Sequence, residues 1–440
     1  MNRYLAKATI VGALGGLLFG FDTAVIAGTT QQLTEIFHLT PTTLGLTVFI
    51  GLVGTVIGAL CSGVLGQKIG GREALRIMAI LYTISAIGCA FAWNWDILMV
   101  ARFIGGLGIG GSSVLGPVYI AELAPAKWRG RMVGLFQINI VVGILLAYLS
   151  NYIITTRNLG TMQWRWEFGV AIIPSILFLV MLYGIPRSSR WLVTTNRTDE
   201  AREVLELMGS PNSAAELKEI VDSIHLERGT QQEPIFNGRY GKPIFLAITI
   251  GMFNQLAGIN AILYYSNYIF ASAGFSSTSA ALQTVSVGLV NLLATVLGMS
   301  LIDRLGRKTL LLTGSVGMTV ALLGVAAIFY THAHQALLVW LLVLFIIFFA
   351  ISQGSVIWVY IAEVFPSRVR SKGQSIGSSS HWIMNALIAG AFPYIAARSQ
   401  AAPFAFFAAM MLLQFFVVLF FYPETKGRSL EQIQTQLGLN

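Results

Sequence analysis

The stretch that decides the fold is residues 251–270, GMFNQLAGINAILYYSNYIF. It is long and apolar enough to cross a bilayer, because roughly 20 residues at about 1.5 Å rise match a hydrocarbon core of about 30 Å. Yet it carries Asn254, Gln255, Asn260 and Asn267 inside the span. Counted from Pro243, Asn254 and Gln255 fall near the midplane, the depth at which transporters hold substrate. Each carboxamide offers donors and acceptors to a ligand covered in hydroxyls, and Tyr264 and Tyr265 add apolar faces with a polar tip. This chemistry points to a sugar. Alternatively the carboxamides only join helices to one another, as Asn and Gln in membranes often do.

The rest of the chain fits a membrane setting. Of its 440 residues, 55% are hydrophobic and 11% charged, and its mean hydropathy is +0.72, far from the balance of a soluble domain. Apolar runs of spanning length fall near 5–28, 44–66, 74–95, 97–121, 132–153 and 166–185, then near 243–271, 279–302, 309–330, 338–361, 372–396 and 402–421. They predict an all-α integral membrane protein with twelve transmembrane helices. An even count puts both termini on one side. Lys68, Arg72, Lys127, Arg129, Arg131, Arg304, Arg307, Lys308, Arg368, Arg370 and Lys372 share the loops of one side, against Arg157, Arg165 and Arg398 on the other. The positive-inside rule therefore predicts cytoplasmic N and C termini. Topology accounts for the net charge of +9, so no nucleic-acid partner is expected. Residues 1–28 run into a full-length apolar segment without a small-residue cleavage site, so the first helix is expected to stay. Cys61 and Cys89 both lie in apolar segments and suggest neither a disulfide framework nor a metal site.

The one sizeable polar stretch, 186–242, is expected to be a cytoplasmic linker. Within it 198–208 and 213–226 carry the period of short amphipathic helices, and Ser213 with Glu216 has capping-box spacing. The linker separates two similar halves. YIAELAPAKWRGR at 119–131 recurs as YIAEVFPSRVRSKG at 360–373, and GQKIGGR at 66–72 is echoed by IDRLGRK at 302–308. A parallel repeat of this kind implies two six-helix bundles, 1–185 and 243–422, with ligand between them and a tail over 423–440.

Nearly the whole chain resembles the sugar porters of the major facilitator superfamily. The resemblance rests on GALGGLLFGFDTAVIAG, ARFIGGLGIGG, YIAELAP followed by RGR, NQLAGINAILYY, IDRLGRK, IAEVFPSRVR and PETKGRSLEQ. It implies the major facilitator fold, alternating access by rocking of the halves, and a hexose or pentose as substrate. It also implies that Gln137, Asn254, Gln255, Asn260, Tyr264, Asn291, Trp358 and Trp382 line the sugar cavity. His381 stands before Trp382 where the family has a carboxamide, and is expected to bond a hydroxyl as a neutral ring or to titrate. Asn254 replaces a usual glutamine, so one sugar contact is a methylene shorter. Periodicity puts Asn260, Tyr264 and Asn267 on one face but not Gln255, and a bend near Gly258 would reconcile them. Trp358 is expected to floor the cavity under the sugar's apolar face.

The gates are expected to be charge networks, Glu122 with Arg129 and Arg131 and Glu363 with Arg368 and Arg370, or else solvated helix ends. Arg187 replaces a usual acidic residue of that network, and Gln67 and Gly71 weaken its first motif, so inner gating is expected to be looser than usual. The glycine run 105–111 follows no strand, so it is read as close helix packing, not a dinucleotide fingerprint.

Asp22 and Arg102 both fall in the outer part of the membrane, where charged groups are costly alone and pair across a cavity. Burial favours the protonated carboxyl and a nearby guanidinium the ionised one, so movement of Arg102 would switch Asp22 between states. The resemblance implies the same, because proton-linked members tend to have Asp at this place. The expected function is a proton-coupled monosaccharide symporter of the cytoplasmic membrane, working as a monomer, with sugar, proton and the lipid bilayer as partners. It is expected to be no enzyme and to need no cofactor or metal. A facilitator without proton coupling is the alternative, and a sugar sensor on a transporter frame a distant one.

Overall fold

A computed structural model of the chain describes residues 3–124, 129–210, 212–229, 234–236, 238–366, 369–428 and 430–439; the side chains of 129, 130, 225–229, 303, 430 and 431 fall outside this description. The described residues form helices and turns and no strand. In order these are α1 (Arg3–Ile36), α2 (Pro41–Ile69), α3 (Gly71–Phe91), α4 (Trp95–Leu123), α5 (Arg129–Thr155), α6 (Gln163–Gly169), α7 (Ile172–Met181), α8 (Ser189–Thr194), α9 (Thr198–Leu207) and α10 (Ser213–Gly229). There follow α11 (Gly241–Leu256), α12 (Ile259–Tyr264), α13 (Ser266–Ser272), α14 (Ser277–Leu305), α15 (Arg307–Thr331), α16 (Leu338–Ile351), α17 (Gln353–Val364), α18 (Arg370–Arg398), α19 (Ala402–Phe421) and α20 (Leu430–Leu437).

Among the described residues, eleven helical stretches are long and apolar enough to cross a membrane. The twelfth expected span, α18, has ample length at 29 residues but carries Ser, His and Asn along it, which lowers its apolarity. Helix starts follow local chemistry: Asn94 Oδ1 accepts the Ile97 amide at 2.9 Å to begin α4, and Ser276 Oγ accepts the Ser279 amide at 3.3 Å to begin α14. The expected cap of α10 is displaced by one residue. Asn212, not Ser213, accepts the Ala215 amide at 3.1 Å, while Ser213 Oγ donates to Glu206.

The chain divides into two compact units, one of Met1–Val25, Ile50–Ser150 and Gly160–Gln231, the other of Ile26–Phe49, Asn151–Leu159 and Gln232–Asn440. In the first, the glycine run acts as expected: a Cβ on Gly106 would meet the Gly51 carbonyl oxygen at 1.9 Å, and one on Gly110 the Thr55 carbonyl at 1.9 Å. Helices α2 and α4 thus touch backbone to backbone. In the second, Gly45 and Gly390 make the same kind of contact, at 2.0 Å from added Cβ to carbonyl oxygen. The turn between α14 and α15 also requires glycine, since Gly306 has φ +93° and a Cβ there would lie 2.6 Å from the Glu424 carboxylate.

Candidate functional site

The carboxamide-rich span is not one helix. Gly258 adopts φ +84°, and a Cβ on it would sit 2.3 Å from the Phe407 ring, so α11 ends and α12 begins in a left-handed turn that only glycine fits. This is the bend that periodicity required. Across it Asn260 Nδ2 donates to Gln255 Oε1 at 3.1 Å, and Gln255 Nε2 lies 3.1 Å from Asn254 Oδ1. The same Nε2 is 3.2 and 3.3 Å from the two ring nitrogens of His381 on α18, and donates to the unprotonated one. Asn254 Nδ2 reaches the Gln353 carbonyl at 3.4 Å, at the break between α16 and α17. Asn254, Gln255 and His381 are all buried.

Aromatic rings border this cluster. The His381 ring centroid lies 5.2 Å from that of Trp358 and 5.1 Å from that of Trp382, the latter edge to face. Tyr264 OH accepts from Asn385 Nδ2 at 3.2 Å. Asn291 is buried on α14. Asn267 stands apart: Thr284 Oγ1 donates to its Oδ1 at 2.7 Å, which is the helix-joining role. Two residues that sequence reasoning passed over belong with the cluster's elements. Gln353 and Asn385 are fully buried, and Gln353 Nε2, Gln353 Oε1 and Asn385 Oδ1 have no protein partner. Convergent donors and acceptors beside two indoles suit a polyhydroxylated ring with an apolar face.

In the first unit, Arg102 Nη1 donates to Asp22 Oδ2 at 3.2 Å, with both side chains largely buried. Gly51 and Gly105 border the pair: added Cβ atoms there would lie 3.4 Å from Arg102 Nη2 and 3.8 Å from Asp22 Oδ1, ordinary contact distances. Arg102 Nε is buried without an acceptor, so one carboxylate is the main compensation for this cation. Gln137 lies half-buried on α5. Glu167 on α6 is fully buried and accepts from Gln163 Nε2 at 2.9 Å; it went unnoticed in the sequence, where a single acid four residues after Gln163 is a weak signal.

The described residues show part of the charge networks. Glu122 accepts from Ser188 and faces Arg190; the Arg129 side chain lies outside the described residues, and Arg131 is exposed at the start of α5. Glu363 bonds Arg307 Nη2 at 2.8 Å and Thr425 Oγ1 at 2.6 Å. Arg368 lies outside the described residues, and Arg370 is half-buried in the first turn of α18. Arg187 does not merely lack the usual acid: its Nε lies 3.4 Å from Glu73, which Arg72 and Arg76 also bond at 2.6 Å each. Glu424 accepts the amides of Arg307, Lys308, Thr425 and Lys426 at 2.9, 3.0, 2.9 and 2.9 Å. Burial pushes its carboxyl up, but the amides of Lys426, Arg307 and Lys308 prevail and hold it below the ordinary 4.5.

With this geometry in view, comparison with known proteins is direct. The family profile described as sugar (and other) transporter matches residues 8–437. The glucose transporter GlcP of Staphylococcus epidermidis is 36% identical over 441 residues, 99% of this chain and 97% of that protein. The D-xylose-proton symporter of Escherichia coli K12 is 34% identical over 471 residues, 98% of this chain and 96% of the relative. The solved inward open conformation of the xylose transporter XylE from E. coli superposes with a TM-score of 0.88 at 32% identity, covering 98% of this chain and 100% of that one.

Proposed function

The chain belongs to the sugar transporter family of the major facilitator superfamily, and from that premise we propose that it is a proton-coupled symporter for a hexose or pentose. The observation that carries the coupling is the buried Asp22–Arg102 ion pair inside the membrane-spanning helices. A facilitator needs no such pair, and a buried guanidinium held mainly by one carboxylate is a two-state element that a proton can bias. The carboxamide, imidazole and indole cluster supports the sugar. Gln255 contacts three other polar side chains of that cluster, and His381 sits between the two indoles.

In this reading Gln137, Asn254, Gln255, Asn260, Tyr264, Asn291, Trp358, His381 and Trp382 bind sugar, and Asp22 with Arg102 couples the proton. Glu122, Arg129, Arg131, Glu363, Arg368 and Arg370 take part in inner gating, Glu363 through Arg307. The two six-helix bundles are 1–185 and 243–422, the carrier alternates access as a monomer, and both termini face the cytoplasm. Comparatively little of this depends on which sugar is carried. The test is uptake of labelled glucose and xylose into reconstituted vesicles under an imposed proton gradient, with unlabelled sugars as competitors. Symport requires accumulation that a protonophore abolishes; equilibration at the same level with and without the protonophore refutes it.

A further inference from the structure

We propose that the groove between α15, α16 and α19 seats one acyl chain of an anionic phospholipid whose headgroup is held by Lys308. The recess has a volume of about 470 Å³, with walls formed by Leu312, Val316 and Val320 of α15 and by Phe415 of α19, over a floor of Leu344 and Phe348 of α16. Gly317 sets that floor close to α15: a Cβ there would lie 2.2 Å from the Phe348 ring and displace it. All three helices belong to membrane-spanning stretches, so the recess opens to lipid and not to water. From Leu312 to Val320 it runs about 12 Å along α15, close to the roughly 15 Å depth of one leaflet.

The choice of lipid follows from charge. Lys308 lies one helical turn before Leu312, and its Nζ donates to the carbonyl of Leu419 at 2.8 Å, one turn beyond Phe415. The ammonium therefore bridges both walls at the mouth of the recess. No carboxylate pairs with it among the described residues. Lys426, whose ammonium reaches the Arg304 carbonyl, and exposed Arg304 add positive charge at the same corner. Among the described side chains, the acid Glu424 near this corner is occupied by backbone amides. The apolar slot takes an acyl chain of any phospholipid, so selection falls to the cations at its end. Anionic headgroups are those that a juxtamembrane cation selects.

The full chain, purified in detergent, is titrated with phosphatidylglycerol, with phosphatidylcholine of the same acyl chains, and with oleate, and bound lipid is counted by native mass spectrometry. One phosphatidylglycerol is expected to bind about fivefold more tightly than phosphatidylcholine, the effect of one near-surface lysine. Lys308→Gln should bring that ratio close to one while chain binding persists. Val316→Trp should fill the recess and lower retention of both phospholipids; Val320→Trp is its counterpart should the first variant fold poorly, and both positions are more than half exposed. Sugar counterflow of each variant reports folding independently. The proposal fails if the preference survives Lys308→Gln, if the tryptophans leave lipid retention unchanged, or if oleate or phosphatidylcholine binds as tightly as phosphatidylglycerol.

Discussion

Replacing Asp22 by Asn tests the coupling reading most directly. Asn keeps an acceptor for Arg102 Nη1, now 3.2 Å from Asp22 Oδ2, but removes the charge and the titrating proton. Losing charge assistance from one hydrogen bond costs about 1–2 kcal/mol. Asp22→Ala, which leaves the buried guanidinium without that acceptor, should cost about 3–5 kcal/mol. The transport consequence is larger. One proton moving through 100 mV supplies about 2.3 kcal/mol, which at one proton per sugar sustains roughly a fifty-fold gradient. Asp22→Asn resembles the permanently protonated carrier, so its gradient should fall to one while counterflow, which exchanges loaded sugar only, continues. Sugar affinity in detergent should change little, since Asp22 contributes no atom to the carboxamide cluster. The assay measures driven uptake and counterflow in one reconstituted preparation. If Asp22→Asn still concentrates sugar under a proton gradient, coupling resides elsewhere and the argument from this pair is wrong.

Gln255→Ala removes the residue that contacts Asn254, Asn260 and His381, and should weaken sugar binding by about 1–3 kcal/mol, or roughly five- to hundred-fold, as should Gln137→Ala; unchanged calorimetric binding by folded protein would remove either from the site. His381→Gln should keep transport and change the ranking of competing sugars, whereas loss of transport with intact binding would assign the ring to proton handling. Gly258→Ala forces a Cβ into the left-handed region 2.3 Å from Phe407, and a loss of about 2–4 kcal/mol should appear in thermal unfolding. The Glu424 carboxyl titrates below its ordinary 4.5 in the folded state, so its contribution is complete above that value and lost as pH falls through the folded one; Glu424→Gln should flatten stability over that acid range, and an unaltered profile would exclude the residue.

The fold was legible because bilayer thickness imposes a length on apolar runs and loop charge imposes a direction on them. Helix α18 was read as a span over 372–396 although it carries polar residues, and His381, Trp382 and Asn385 of the proposed site lie along it. The bend at Gly258 followed from a mismatch in periodicity, which is a local property. Partners across the chain were harder. Glu363 and Arg307 stand far apart in sequence and are brought together by tertiary packing, whereas Arg368 and Arg370 are the arginines beside Glu363 in the chain. Gln353 and Asn385 escaped notice because a single polar residue in an apolar run has no period to define its face. The cap of α10 slipped by one position because Asn212 and Ser213 are both good caps, and only backbone geometry separates them.

Asn254, Asn260 and His381 each have Gln255 as a polar neighbour, and this bears on how strictly such a site selects. A rigid pocket built around a hydroxyl rejects an analogue lacking it by about 10⁴–10⁵, because its own polar groups are then stranded. Here a group that meets no hydroxyl can return to its neighbour. Each missing hydroxyl then forfeits only one net hydrogen bond, about 0.5–1.5 kcal/mol, or roughly two- to twelve-fold. Such a carrier is expected to grade sugars that lack a hydroxyl below its preferred one in small steps.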